Sequence, residues 1–477
     1  MTETTATTTS DADLEAHLDA THAARMAGYM DFLRIPSMSG QPAYAPEVRR
    51  AAEWLAETLR TIGIEHVEVA ETGGHPVVYG DWLHADGAPT VLVYGHYDVQ
   101  PVDPLDLWTS PPFEPVVDGD RMLARGAADD KGQIHAHAMA AQALLETRGG
   151  VPINVKYVFE GEEESGSHNL EVWLGEHREQ LAADVAIISD TGFFEGNIPA
   201  ITVSLRGLMY AQIDVVGSPV DLHSGGFGGA VANPAMALAE IITALKGPDG
   251  RIRIPGFYDE VVPLTDAEHA SIANLPFDEE AYRIATGVSA LVGEAGFSTL
   301  ERRATRPSLD VNGLWGGFQG DGTKTIIPAH AHAKVSCRLV ADQDPAVIFG
   351  RLQAYVEAIA PTGVTVTVRD LGGGRPSRTP IDHPVTQAAA RALEAVFGRA
   401  PVYTREGGSI PVSASFESVL GLPVVLLGFV QPHDNAHAPN EWMDLGNYEK
   451  AIRAIVRTFD EIAELRLGGA EQRGAGG

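Results

Sequence analysis

Three apolar runs, each halted by a cluster of acids or histidine, constrain this fold more than any other feature. The first, TVLVYGHYDVQP, reads as a buried strand over Val91, Leu92, Val93 and Tyr94, stopped at Gly95 and closed by Pro101. His96 and Asp98 follow it at once. Further on, RGAADDKGQ sets Asp129, Asp130 and Lys131 between glycines, ahead of a helix-like run from Ile134 to Leu145. The second run, INVKYVFEGEEESGS, ends on Glu160, Glu162, Glu163 and Glu164, and the third, VAIISDTGF, ends on Asp190. Strand-then-acid units joined by helical stretches indicate an α/β sheet whose ligands gather at the carboxyl ends of the strands, on one rim.

Adjacent glutamates just past a buried strand are unfavourable unless cations compensate them. A mixture of imidazole and carboxylate suits a borderline divalent metal, zinc above all. His437 lies in another polar loop, after the apolar run PVVLLGF. Charge counting supports two such ions. Their positive charge is balanced by Asp129, Glu164, Asp190 and one hydroxide, with His96 and His437 as neutral donors. Glu163 is then left over as a free carboxylate, where a general base belongs. Glu162 reads as a surface carboxylate, and His135 and His137 on the following helix read as structural.

The chain has 477 residues, 44% of them hydrophobic, enough for a large core. A net charge of -30, without any basic block, argues against nucleic acid and anionic membranes as partners. The single cysteine, Cys337, excludes an intramolecular disulfide and fits a reducing compartment, the cytoplasm. The N-terminus lacks the basic start and apolar core of a secretion signal, and no apolar run is long enough to span a membrane. GFQGDGTK lacks the Gly-Lys-Ser/Thr of a phosphate loop, and neither a G-x-S-x-G elbow nor His-Glu-x-x-His occurs.

Near Arg206 the texture changes. Strand, helix, strand pair, helix and strand patterns follow in βαββαβ-like order over 205–375, up to the linker-like LGGGRPSRTP. Within it, TKTIIPAHAHAKVSCRLV reads as a strand pair bent at Pro328. The expected division is therefore 1–204, 205–375 and 376–477, the middle segment standing as its own α+β domain.

GHYDVQP, GAADDKG, EGEEESGS, ISDTG, DLHSGGFGG, REGGSIP and DNAHAPNE occur in one order along the chain. In that order and spacing they resemble the co-catalytic dizinc exopeptidases. These include carnosinases, aminoacylases and glutamate carboxypeptidases, and the cytosolic non-specific dipeptidase branch is the most similar. The resemblance implies a mixed-sheet α/β catalytic domain from 1–204 and 376–477, with 205–375 an inserted, ferredoxin-like lid and dimerisation domain. It implies two divalent metal ions per subunit, zinc or alternatively manganese. His96, Asp129 and Asp190 would hold one, and Asp129, Glu164 and His437 the other. Asp98 would hydrogen-bond His96, the Asp129–Asp130 peptide would be cis, and Glu163 would carry the proton. His223 would act as an oxyanion donor in the partner's site of a homodimer. Arg338, Gly408 and Ser409 would bind the substrate's terminal carboxylate, with Thr325 and Asn312 as further contacts. The implied activity is hydrolysis of dipeptides with a free C-terminal carboxylate. An N-acyl or N-carbamoyl amino-acid amidohydrolase would use the same site. A non-catalytic peptide-binding protein is the third reading, disfavoured because binding alone needs no Glu163.

Overall fold

The computed structural model describes residues 11–407 and 410–467. They form two compact units. The first comprises residues 11–203, Thr379–Thr404 and 415–467, and the second comprises Ser204–Arg378 with Arg405–Ala414. The short segment Arg405–Ala414 sits with the second unit rather than with the C-terminal part. Arg405 donates to Glu268 at 2.9 Å and Ser413 Oγ to Ser377 Oγ at 3.0 Å, both contacts far away in sequence.

A mixed sheet runs through the first unit. Its order is Glu65–Ala70, Val77–Trp82, Asn154–Glu160, Thr90–His96, Val185–Ile188, Val424–Leu426 and Ala200–Leu205. The four strands Asn154–Glu160, Thr90–His96, Val185–Ile188 and Val424–Leu426 are mutually parallel. Parallel strands are covered on both faces, so their sequences are continuously apolar rather than alternating. Val91, Leu92, Val93 and Tyr94 are accordingly all buried, as are Val185, Ala186, Ile187 and Ile188. Helix Lys131–Arg148 packs on strand Thr90–His96 and against helices Asp11–Leu33 and Leu445–Ala463. It is buried on nearly every side, and its alanines (136, 138, 140, 141 and 143) let neighbouring elements approach. His135 and His137 are buried structural residues, bonded at 2.8 Å to the Tyr448 hydroxyl and the Ser189 hydroxyl.

The second unit is built on an antiparallel sheet in the order Ser308–Gly316, His330–Leu339, Gly207–Val216 and Thr365–Gly374. Helices Pro234–Leu245 and Pro345–Ala358 cover one face. Met209, Ala211, Ile213 and Val215 alternate inward on one strand, and Ala331, Ala333, Val335, Cys337 and Leu339 on the next. Ile241, Ile348 and Leu352 of the helices join the same core. Pro328 does not bend a hairpin: Ile326–Ile327 pairs with Leu222–His223, while His330–Leu339 lies inside the larger sheet. Among the described residues no helix is long and apolar enough to cross a membrane.

Gly95 sits where the central strand meets the start of helix Lys131–Arg148. A methyl group there would lie 2.1 Å from Ile134 Cγ2 and 2.5 Å from Asp130 Oδ2. Gly95→Ala should therefore destabilise the protein by about 1–3 kcal/mol, the usual penalty of overpacking. Denaturant unfolding reads this directly, and an unchanged midpoint would contradict so close an approach.

Candidate metal centre

The parallel strands end together, and each delivers a polar residue to the same rim. His96 is the last residue of its strand, Glu163 and Glu164 lie just past Asn154–Glu160, and Asp190 just past Val185–Ile188. Asp129 precedes helix Lys131–Arg148, joined to Asp130 by the cis peptide bond that the resemblance implies. His437 comes from the loop after Val424–Leu426, held at a left-handed φ of 62°.

These side chains form two groups that share Asp129. In each, the ligand atoms all lie within 4.8 Å of one another: His96, Asp129 and Asp190 in one, Asp129, Glu164 and His437 in the other. His96 Nε2 is 3.0 Å from Asp129 Oδ1 and 3.9 Å from Asp190 Oδ1. His437 Nε2 is 2.8 Å from the other Asp129 oxygen and 3.3 Å from Glu164 Oε2. One imidazole nitrogen with carboxylate oxygens in each group is a donor set suited to zinc or manganese. The electrostatics fit cations too. Burial pushes the Glu163 carboxyl up to about 9, with the charges of Asp190 and Glu164 adding to it. Burial raises Glu164 to about 8 as well, reinforced by Asp129. Asp190 also moves up, chiefly through burial. Burial alone would raise Asp129, but hydrogen bonds from His437 and His96 outweigh it and hold this carboxyl below the usual range. A site that would otherwise collect protons is one that bound cations can neutralise instead.

Glu163 belongs to neither group. Asp98 meets His96 chiefly through its backbone. The ring Nδ1 of His96 is 3.1 Å from the Asp98 carbonyl oxygen, while the nearer carboxylate oxygen is 3.4 Å away. The Asp98 carboxylate accepts instead the backbone N–H groups of Glu163 (3.2 Å) and Glu164 (3.0 Å), and the Ser39 hydroxyl at 2.5 Å. Glu162 is no surface carboxylate. It is half-buried and accepts from the His75 N–H at 3.0 Å and from Asn169 Nδ2 at 2.9 Å, which ties down the turn that carries Glu163 and Glu164.

Reasoning from the sequence missed Glu441. Its fully buried carboxylate accepts from Arg125 Nη1 at 2.7 Å and from the backbone N–H groups of Gly126 (3.0 Å), Ala128 (2.8 Å) and Asp129 (3.0 Å). This one side chain ties down three backbone N–H groups of the loop leading to Asp129. The signal was present in the motif DNAHAPNE, four residues after His437. Gln100 was also missed, and its Nε2 donates to Glu164 Oε2 at 2.7 Å.

The remaining described candidates belong to the second unit. His223 caps helix Ser224–Phe227, and its Nδ1 accepts from the N–H groups of Gly225 (3.0 Å) and Gly226 (3.2 Å). With Nδ1 accepting, the ring proton of neutral His223 resides on Nε2, leaving that nitrogen as a donor. The Thr325 carbonyl accepts the Ser224 N–H at 3.1 Å and so steadies this cap. Arg338 lies on strand His330–Leu339, opposite Ser308 and Leu208. Asn312 is exposed, at the register shift between Val311 and Gly313. Gly408 and Ser409 lie outside the described residues.

Because Glu441 orients the loop rather than contacting a metal, Glu441→Gln should weaken metal binding without emptying the site. The expected loss is about 10–100-fold in affinity, as for other residues that orient metal ligands. Competition against a chelator measures it, and an unchanged affinity in a folded variant would remove Glu441 from this role.

The chain is 33% identical over 447 residues to the Cys-Gly metallodipeptidase of Schizosaccharomyces pombe, covering 90% of this chain and 94% of the relative. It is 30% identical over 453 residues to the Beta-Ala-His dipeptidase of Homo sapiens, covering 91% and 89%. The crystal structure of an M20 family metallo-carboxypeptidase from Sulfolobus solfataricus superposes with a TM-score of 0.81 at 34% identity, covering 92% of this chain and 99% of that one. The model of peptidase family M20/M25/M40 matches residues 92–461, and the chain belongs to that family.

Proposed function

We propose that the protein is a dinuclear metallodipeptidase, cleaving the peptide bond of dipeptides that carry a free C-terminal carboxylate. The observation that carries this reading is the pair of ligand groups sharing Asp129, with Glu163 beside them and outside both. The dipeptidase names of the Schizosaccharomyces pombe and human relatives support the substrate class. When bound, two divalent ions supply positive charge that polarises the scissile carbonyl and lowers the pKa of water. His96, Asp129 and Asp190 would hold one ion, and Asp129, Glu164 and His437 the other. Zinc suits these donors, with manganese the alternative.

The residues of the chain then divide the work. Glu163 takes a proton from the attacking water onto its carboxylate and returns it to the leaving amine. Asp98 and Glu162 keep the turn carrying Glu163 in place. The guanidinium of Arg338 receives the substrate's terminal carboxylate through two parallel hydrogen bonds, aided by Gly408 and Ser409, with Thr325 and Asn312 alongside. His223, with its proton on Nε2, donates to the oxygen on which negative charge develops. In this reading 1–204 and 376–477 are catalytic, 205–375 is a lid and dimerisation domain, and the protein is a homodimer in which His223 serves the partner's site. The single cysteine supports a cytoplasmic setting.

Glu163→Gln should keep two metals per subunit yet lower kcat by about 10²–10⁴-fold, the range of a general acid–base. Metal analysis is paired with hydrolysis of dipeptides, their C-terminal amides and N-acyl amino acids. Undiminished turnover with both metals bound would sink the role of Glu163. Faster cleavage of N-acyl amino acids than of dipeptides would move the enzyme to the amidohydrolase reading.

The shared site has its own test. His223→Ala should bind metal normally and lose about 3–4 kcal/mol of transition-state stabilisation, as when one oxyanion donor is removed. Mixing His223→Ala with Glu163→Gln should then restore part of the activity, because a mixed dimer contains one site with both groups intact. If subunits demonstrably exchange and no activity returns, His223 does not act across the dimer.

A further inference from the structure

The second unit holds a small cleft lined by Arg378, Arg405, Glu268, Ser204 and Thr305, with an apolar wall at Val262 and Leu264. Nη2 of Arg378 and Nη2 of Arg405 both donate to the same oxygen of Glu268, Oε1, at 3.0 and 2.9 Å. Its other oxygen, Oε2, is engaged by the backbone N–H (2.9 Å) and hydroxyl (3.0 Å) of Thr265, where it completes the cap of helix Asp266–Ala273. One saturated carboxylate therefore faces two guanidinium groups. The Arg405 side chain is only 6% exposed, and its buried Nη1 has no hydrogen-bond partner among the described residues. Two guanidinium groups against one carboxylate leave a local excess of positive charge, against the general trend of a chain of net charge -30.

We propose that this cleft binds a small oxyanion, a carboxylate or phosphate group, between Arg378 and Arg405. The planar guanidinium fork matches two oxyanion oxygens at once, and an anion is the group that offsets a buried, half-satisfied arginine. Size agrees. The interior has about 40 Å³ for the centre of a water-sized group. One water needs only ~10–15 Å³, so the space takes a few heavy atoms rather than a length of peptide. None of the described candidate substrate residues lines the cleft. A bound anion would join Arg405 to Glu268 and its helix more firmly than the shared carboxylate does alone.

The test is calorimetric titration of the metal-loaded protein with sodium phosphate and, separately, sodium acetate, at fixed ionic strength. Arg378 is 40% exposed, so Arg378→Gln removes one fork without opening the interior. The wild type should bind one equivalent that Arg378→Gln binds about tenfold or more weakly, with Arg378→Lys between them because it keeps charge but not the fork. The anion bound more tightly identifies the class. Identical titrations for the wild type and Arg378→Gln, or no saturable binding of either anion, would overturn the proposal. If Arg378→Gln does not fold, wild-type crystals soaked in selenate decide instead. An anomalous peak between the two guanidinium groups supports the site, and its absence at full soak removes it.

Discussion

Negative charge gathered at the carboxyl ends of four parallel strands is what the rest of the first unit has to accommodate. The acids there fall into two kinds. Asp98 and Glu441 are surrounded by donors: three hydrogen bonds reach Asp98 and four reach Glu441. Those bonds replace water, so these charges can remain buried and act as anchors. Glu163, Glu164 and Asp190 are left with carboxyls raised by burial and mutual repulsion. The fold thus satisfies Asp98 and Glu441 with its own donors, whereas Glu164 and Asp190 join the two groups that could hold cations. Arrangements of this second kind are costly to folding and mark functional sites.

The sheet that holds this rim was readable because burial leaves a local imprint. Continuous apolar runs such as Val91–Tyr94 announce strands covered on both faces, and the alternation of Ala333, Val335 and Cys337 announces a sheet with one covered face. The candidate metal groups draw on short motifs: His96, Glu164 and Asp190 lie at or just past the end of an apolar run, while Asp129 and His437 sit in polar loops further on. What escaped was long-range. Glu441 follows His437 closely, yet its partners lie more than three hundred positions earlier in the chain, so no local pattern exposes its work. Glu162 sits in a row of acids that reads as a solvated loop, and only Asn169 and His75, brought in by folding, show otherwise. The placement of Arg405–Ala414 with the second unit depends on Glu268 and Ser377 in the same way. The irregular stretch between the strands of the second unit did contain its own signals. Thr265 with Glu268 and Ser298 with Glu301 are capping boxes that start the helices Asp266–Ala273 and Thr299–Ala304.

The second unit illustrates how a backbone can set the chemistry of a side chain. The proton on His223 is placed by two glycine N–H groups, which occupy the other ring nitrogen. A side chain at Gly225 would meet the imidazole at 2.9 Å, so glycine is required for that contact. The histidine therefore has its donor side defined by the fold itself.

The grip of Asp98 on two successive N–H groups has a consequence for how such an enzyme can diversify. Glu163 and Glu164 are fastened to one carboxylate through their backbones, so they move as a single body. Neither can be slid toward a longer or bulkier ligand without displacing its neighbour. An inserted residue between them would uncouple both from the same anchor. A change at Asp98 therefore reaches both glutamates at once, whereas residues that this clasp does not hold can differ without disturbing it.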